Sequence, residues 1–241
     1  MRIYYRRSPG RAGSRGSGEN LKAALSRYFY EARGEKVRAG DLSLGRGPKG
    51  KPFLLNRRDV EFSVTHTEGW WICAAGDAAD GAIGIDAERY GRRVKRPEAL
   101  ARRFFSREEQ RLFSGADAQE SCGKSCEERR EAERLFLCIW VRKEAYLKYT
   151  GEGLSGGMER FSVIAMDAGF WENMDLNPGT ARRVCPETDA GDGTEENRVP
   201  DARDVERDVE FVPIAISEEL CAVVCRSGRS EDRELVLCEM K

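Results

Sequence analysis

The sequence predicts an α+β fold. Helical apolar spacing and alternating strand patterns occupy separate blocks, and two long helical blocks are each followed by three strand-like segments. That order fits two α+β halves in one chain, residues 1–100 and 101–241, or the ordinary mixing of helices and strands in any α+β protein. With 241 residues, one large domain or two small ones can bury an adequate core.

Taken in order, Arg2 to Tyr5 reads as a short strand, stopped by a Gly/Ser/Arg loop from Pro9 to Gly18. Asn20 caps a helix whose apolar stripe is Leu21, Ala24, Leu25, Tyr28 and Phe29. After a Gly/Pro-broken stretch from Gly40 to Pro52, the segments Val60–Val64, Trp70–Ala75 and Ala82–Glu88 read as three sequential antiparallel strands. Pro97 opens a helix to about Phe105, and Ser106 with Glu109 makes a capping box for the next. A long helix follows the polar stretch Gly115–Arg130 and stops at Thr150-Gly151. Its Leu135–Val141 run is apolar on every side, which predicts burial. Phe161–Ala165 reads as a strand, and residues 172–210, poor in apolar side chains, as a flexible insertion. Phe211–Ala215, Leu220–Cys225 and Leu235–Cys238 close the chain as strands.

Hydrophobic residues make up 40% and charged residues 34%, with 41 basic against 42 acidic groups. A net charge of −1 gives no general electrostatic reason to bind nucleic acid or membrane, and neither is expected as a partner. The cysteines at 73, 138, 221, 225 and 238 lie in apolar stretches, as buried free thiols do. They point to a reducing compartment, and with no apolar run long enough to span a bilayer the expected location is cytoplasmic. Cys122 and Cys126 enclose Gly-Lys-Ser, but C-x3-C without a second ligand pair is a poor zinc site, and Ala118 stands where a phosphate-binding loop needs glycine.

Three local features carry chemistry. Asp86 and Glu88, two apart at a strand end, project from the same face within reach of one hard cation. Trp140, Glu144 and Lys148 share one helix face. Glu144 follows an apolar run, where a carboxylate needs a cation or donor, and a metal shared with Asp86 and Glu88 would supply it. Phe62-Ser-Val-Thr65-His66-Thr67 holds the one histidine of the chain; Thr65, His66 and nearby amides could bind phosphate oxygens, as could Lys51 in Gly50-Lys51-Pro52. Each has a plainer reading: a solvated strand end, a surface Glu–Lys pair, a packed histidine, a loop lysine. A magnesium-dependent phosphohydrolase and a non-catalytic coenzyme-binding module share these residue types.

In order, G-K-P, F-S-V-T-H-T, G-I-D-A-E, R-F-F-S-x-E-E and W-V-R-K-E-A-Y-L-K-x-x-G-x-G-L resemble the motif series of the surfactin-type phosphopantetheinyl transferases, over about Lys51 to Leu154. The resemblance implies a fold of two pseudo-twofold-related halves with the active site between them, so that a monomer completes the site. It implies transfer of the phosphopantetheine arm of coenzyme A to an acyl or peptidyl carrier-protein serine, with release of 3',5'-ADP. By motif position, Asp86, Glu88 and Glu144 would hold Mg2+. Lys51, Phe62, Thr65, His66, Thr67, Lys143 and Lys148 would contact coenzyme A, and Glu144, Lys148 and His66 would serve catalysis. Glu109 is a further candidate base, set against its capping-box role. The basic run Gly91–Arg96 suits an acidic carrier surface. Arg33, Lys36, Arg38, Arg46 and Lys49 are the cations available to the adenine and 3'-phosphate end.

Overall fold

The structure, a computed structural model, describes residues 1–7, 17–91, 94, 96–113, 126–153, 157–172, 174, 209–228 and 234–240. The expected insertion lies almost wholly outside them, as do the Pro9–Gly16 loop, most of the polar stretch after Phe113 and residues Arg92, Arg93 and Lys95 of the basic run. The chain divides into two compact units.

The first unit comprises Met1–Arg92, Trp140–Gly156 and Glu210–Lys241. Strand β1 (Arg2–Arg7) leads to helix α1 (Ser17–Arg33). The helix begins three residues before the expected cap. Asn20 therefore lies in its first turn, where its side-chain oxygen accepts from Arg6 Nη1 at 3.2 Å. The short strands β2 (Leu44–Arg46) and β3 (Pro52–Leu54) form a separate antiparallel ribbon. β4 (Val60–Thr67) and β5 (Trp70–Asp77) then pair as the expected hairpin.

The third strand departs from expectation. A 3-10 turn at Ala78–Asp80 and Gly81, with φ +96°, divert the chain, so β6 (Ile83–Arg89) leaves the hairpin. It pairs antiparallel with β8 (Leu220–Ser227) in a sheet ordered β6-β8-β7, β7 being Val209–Pro213. Strand β9 (Val236–Glu239) separates from the other closing strands and joins β1 in parallel, giving a sheet ordered β4-β5-β1-β9.

Period-2 alternation explains the layering. On β5, Trp71, Cys73 and Ala75 face a core with Leu25, Tyr28 and Phe29 of α1. Trp70, Ile72 and Ala74 face the opposite core, with Ile83, Ile85 and Ala87 of β6 and Leu220, Ala222 and Val224 of β8. The apolar residues of β6 thus pack face to face on the first sheet instead of extending its edge. At the end of α1, Arg33 bonds Asp59 and Asp77, while Arg57 bonds Asp59 and Glu35. Arg38 is paired with Asp41, and Arg46 donates to the Gly50 carbonyl at 3.1 Å. Arg33, Arg38 and Arg46, among the cations held open for a nucleotide, are thus engaged within the chain.

The second unit comprises Arg93–Ile139 and Gly157–Val209. It holds α2 (Pro97–Phe104), α3 (Arg107–Arg111), α5 (Val163–Met166) and the first part of α4 (Cys126–Thr150), whose C-terminal part belongs to the first unit. Helix α4 starts inside the stretch expected to be polar loop, and its Leu135–Ile139 and Val141 are buried as expected. Phe105 stacks on Phe136 at 5.0 Å between centroids, and Phe113 packs against both. The capping box of α3 is present.

Phe161–Ala165, expected as a strand, contains the start of α5. Ser162 caps this helix by accepting from the Ala165 amide, and Glu109 Oε1 accepts from the Val163 amide at 2.8 Å. These bonds satisfy the first amides of the helix and override the strand preference of Val163 and Ile164. The six described cysteines are free, all buried except Cys126. No described helix is long and apolar enough to cross a membrane.

Candidate functional site

The site is built on β6. Ile83, Ile85 and Ala87 point into the core, so Gly84, Asp86 and Glu88 share the other face. Gly84 has no side chain, and a Cβ there would run into the Ala145 carbonyl oxygen and approach the Tyr149 amide to 2.5 Å. The C-terminal turns of α4 therefore lie directly on the strand. That close approach brings Glu144 and Lys148, one helical turn apart, over the carboxylate pair. Lys148 Nζ donates to Asp86 Oδ1 at 2.7 Å and to the Ile85 carbonyl at 3.0 Å. Tyr149 Oη lies 3.2 Å from Ser227 Oγ on β8, a second tie between helix and sheet.

Strand β4 closes the other side. Its Ser63, Thr65 and Thr67 are buried on the face turned to β6. Thr65 Oγ1 donates to Asp86 Oδ1 at 2.9 Å and Thr67 Oγ1 to Glu88 Oε2 at 3.2 Å, while Ser63 Oγ accepts from the Ile85 amide at 3.1 Å. Lys51 Nζ donates to the Ile83 carbonyl at 3.2 Å and pairs with Glu61 at 3.8 Å. β6 lies at the edge of its sheet, and these side chains satisfy backbone groups that a neighbouring strand would otherwise take.

Three carboxyls and one ammonium are gathered here, so negative charge exceeds positive. Burial pushes the Glu144 carboxyl up to about 7, the Asp86 charge adds to the effect, Lys148 opposes it and Glu88 contributes a little more. Burial also pushes the Lys51 ammonium down, against the charge of Glu61. A hard divalent cation matches this donor set in chemistry: all oxygen, with uncompensated negative charge. The arrangement is not a closed ligand cage, since no group of three or more His, Cys, Asp or Glu that could hold a metal ion occurs among the described residues. Lys148 and Thr65 both occupy Asp86 Oδ1.

Of the residues singled out from the sequence, Asp86, Glu88, Glu144, Lys148, Thr65 and Thr67 come together. His66 does not join them, because it alternates with Thr65 and Thr67 and is exposed on the other face of β4, opposite Trp71. Phe62 shares that face and is buried in the core beneath α1. Lys143 is 0% exposed, so its ammonium is not presented to solvent. Glu109 is also 0% exposed: Oε2 accepts from the Ser106 amide at 2.8 Å and Oε1 from the Val163 amide, which is a structural use of both oxygens.

Sequence reasoning passed over Gly84 and Ser63. Gly84 gave a signal, a glycine inside an otherwise strong strand, which often marks close backbone approach. Ser63 gave one through alternation, since it shares a face with Thr65 and Thr67.

Residues 82–191 match the family model described as the 4'-phosphopantetheinyl transferase superfamily, a stretch that includes both carboxylates, Glu144 and Lys148. The Sfp 4'-phosphopantetheinyl transferase of Bacillus subtilis is 29% identical over 180 residues, covering 68% of this chain and 69% of that protein. The psf-1 4'-phosphopantetheinyl transferase of Bacillus pumilus is 32% identical over 121 residues, 50% of this chain and 44% of its own length. HetI of Nostoc sp., likewise a 4'-phosphopantetheinyl transferase, is 33% identical over 123 residues, 49% and 46% respectively. The chain thus spans less than half the length of two of these relatives and about two thirds of the third. The matched stretch carries the strand and the helix that bring three carboxyls and a lysine together, and over it the chain is similar to the 4'-phosphopantetheinyl transferase superfamily, Sfp-type members included.

Proposed function

We propose that the chain transfers the 4'-phosphopantetheine moiety of coenzyme A to a serine of an acyl or peptidyl carrier protein, with a divalent cation such as Mg2+ and release of 3',5'-ADP. The observation that carries this reading is the seating of Glu144 and Lys148 over Asp86 and Glu88, where burial and then the Asp86 charge raise the Glu144 carboxyl to about 7. Such a cluster suits the handling of a pyrophosphate, where positioning and charge neutralisation dominate catalysis.

In this mechanism Asp86, Glu88 and ionised Glu144 would hold the cation, which when bound neutralises charge on the phosphate oxygens. Lys148, already fixed by Asp86 and the Ile85 carbonyl, adds positive charge at the same place. The serine oxygen forms a bond to the phosphorus bearing the pantetheine arm, and the pyrophosphate bridge breaks with its electron pair leaving on the 5'-phosphate oxygen of 3',5'-ADP. The serine proton passes to a base, and Glu144 is our assignment because burial raises its carboxyl to about 7. Glu109, with both oxygens bonded to backbone amides, is a poor choice for that step. The two-half reading of the fold, residues 1–100 and 101–241, belongs to this proposal and is supported by the helix-then-strands order seen twice. A monomer in a reducing, cytoplasmic setting completes it.

Incubation of the chain with coenzyme A, Mg2+ and an apo carrier protein, followed by mass spectrometry of the carrier, tests the reading. The expected result is a gain of one phosphopantetheine that chelator abolishes. An unmodified carrier refutes transfer, and modification that survives chelator refutes the cation.

A further inference from the structure

Resting on that reading, we infer that Tyr149 and Ser227 are positioning residues for transfer. They lock the last turn of α4 to the end of β8 and so set where Lys148 stands over the acidic strand.

Lys148 lies two residues from the end of α4, which closes at Thr150. The final turn of a helix has no onward backbone bonds to hold it, and local opening costs least there. A functional group that must keep its place to within about 0.5 Å therefore needs a hold from outside the helix. The Gly84 contact limits how near the helix can come to β6, but it does not stop the last turn from lifting or rolling away. Lys148 is bonded to Asp86 and to the Ile85 carbonyl through a flexible four-carbon stem, which follows the helix instead of fixing it.

Tyr149 supplies the missing hold. Successive residues are turned by about 100° around a helix, so its side chain leaves on a different side from that of Lys148. Its Oη lies 3.2 Å from Ser227 Oγ, and either hydroxyl can donate. Both ends of the contact are braced. The Tyr149 ring stacks on that of buried Tyr146, with centroids 6.2 Å apart and planes at 24°. Ser227 is wedged against the turn that leads into β6, since a Cβ on Gly81 would come within 2.5 Å of its Oγ and 3.3 Å of its Cβ. This one serine thus ends β8, touches the turn before the acidic strand and meets the helix that carries Glu144 and Lys148. Asp86, Glu88 and Lys148 take no part in the contact, which leaves it independent of what occupies the carboxylate face.

The test uses the full chain with Tyr149→Phe, Ser227→Ala and the two combined. Tyr149→Phe keeps the stacked ring and removes a single oxygen. Hydrogen exchange without ligand, read by mass spectrometry, follows the amides of Lys148–Thr150. Kinetics with coenzyme A, Mg2+ and an apo carrier protein follow transfer. In each single variant we expect exchange in the last turn to quicken about fivefold, the share of one hydrogen bond between neutral groups. We expect kcat to fall about tenfold, part of the hundredfold that a 1 Å misplacement costs. The KM for the carrier should stay within about twofold, because no carrier contact is touched. The combined variant should lose no more than the worse single variant, since both substitutions break the same contact.

Single variants that keep kcat within twofold overturn the inference and leave the hydroxyl pair as a stabilising contact only. Losses in kcat that multiply in the combined variant overturn it as well. Should Ser227→Ala fail to fold, Tyr149→Phe alone gives both the exchange and the kcat readings. An unsubstituted chain that modifies no carrier refutes transfer and with it the role in transfer, whereas unchanged exchange in Tyr149→Phe refutes the lock on the last turn by itself.

Discussion

Replacing Gly84 with alanine tests whether close approach of helix to strand makes the site. The added methyl would sit 2.5 Å from the Tyr149 amide nitrogen and 2.9 Å from the Ala145 carbonyl carbon, both backbone atoms that no rotamer change can move. The Ala145 carbonyl oxygen lies nearer still, so relief to ordinary contact, about 3.5 Å, requires helix and strand to part by roughly 1.5 Å. The Lys148–Asp86 bond, 2.7 Å long, would then lengthen beyond hydrogen-bonding range. Overpacking of this kind costs about 1–3 kcal/mol, and in a chain of this size each kcal/mol lowers Tm by about 2–4 °C. We expect a fall of roughly 3–10 °C in calorimetry. Transfer should drop about a hundredfold, the usual effect of a 1 Å misplacement of catalytic groups. A Gly84→Ala protein with unchanged Tm and normal turnover in the carrier mass assay would refute the account of how the carboxyls and lysine are gathered.

Three further changes separate the roles of the charged residues. Glu144→Gln should abolish transfer while circular dichroism stays native. Its carboxyl is raised in the folded protein to about 7, so the proton it holds favours folding below the ordinary carboxyl range. That contribution disappears as pH rises through about 7, and urea titrations of the unsubstituted chain should show a decline over this window that Glu144→Gln lacks. Lys148→Met should cost about 2 kcal/mol in denaturant titration, less than for a fully buried pair because Lys148 is 29% exposed, and should remove transfer. Glu109→Gln turns an amide donor toward one of two backbone N–H groups, so stability should fall by about 2–3 kcal/mol while the folded fraction keeps turnover within a few-fold.

Local features of the fold were legible where one residue's neighbours decide the outcome. Ser106 and Glu109 announced a cap because both partners lie within one turn. Leu135–Val141 announced burial because it has no polar face. The face shared by Asp86 and Glu88 follows from strand alternation, and that of Glu144 and Lys148 from helical pitch. Sheet membership was not legible, since whether β6 extends the β4–β5 hairpin or packs across it depends on β8, more than a hundred residues away. Phe161–Ala165 misled for the same reason, because the acceptor that starts its helix is Glu109, remote in sequence. The placement of His66 on the other face of β4 from Thr65 and Thr67 was legible too, since alternation separates them within the same six residues.

The pairing of β6 with β8 has a consequence for how the protein is made. Asp86 stands opposite Val223, 137 positions later by difference, and Lys148 lies between them in sequence. At about 5–20 residues per second, a ribosome delivers the partner strand roughly 7–27 s after the acidic strand. During that interval the apolar side of β6 can settle on β4 and β5 while its other edge waits unpaired, a state open to chaperones or aggregation. The reactive constellation therefore matures late in synthesis, and a chain cut before Leu220 would carry every carboxylate of the site yet lack the strand that holds two of them in register.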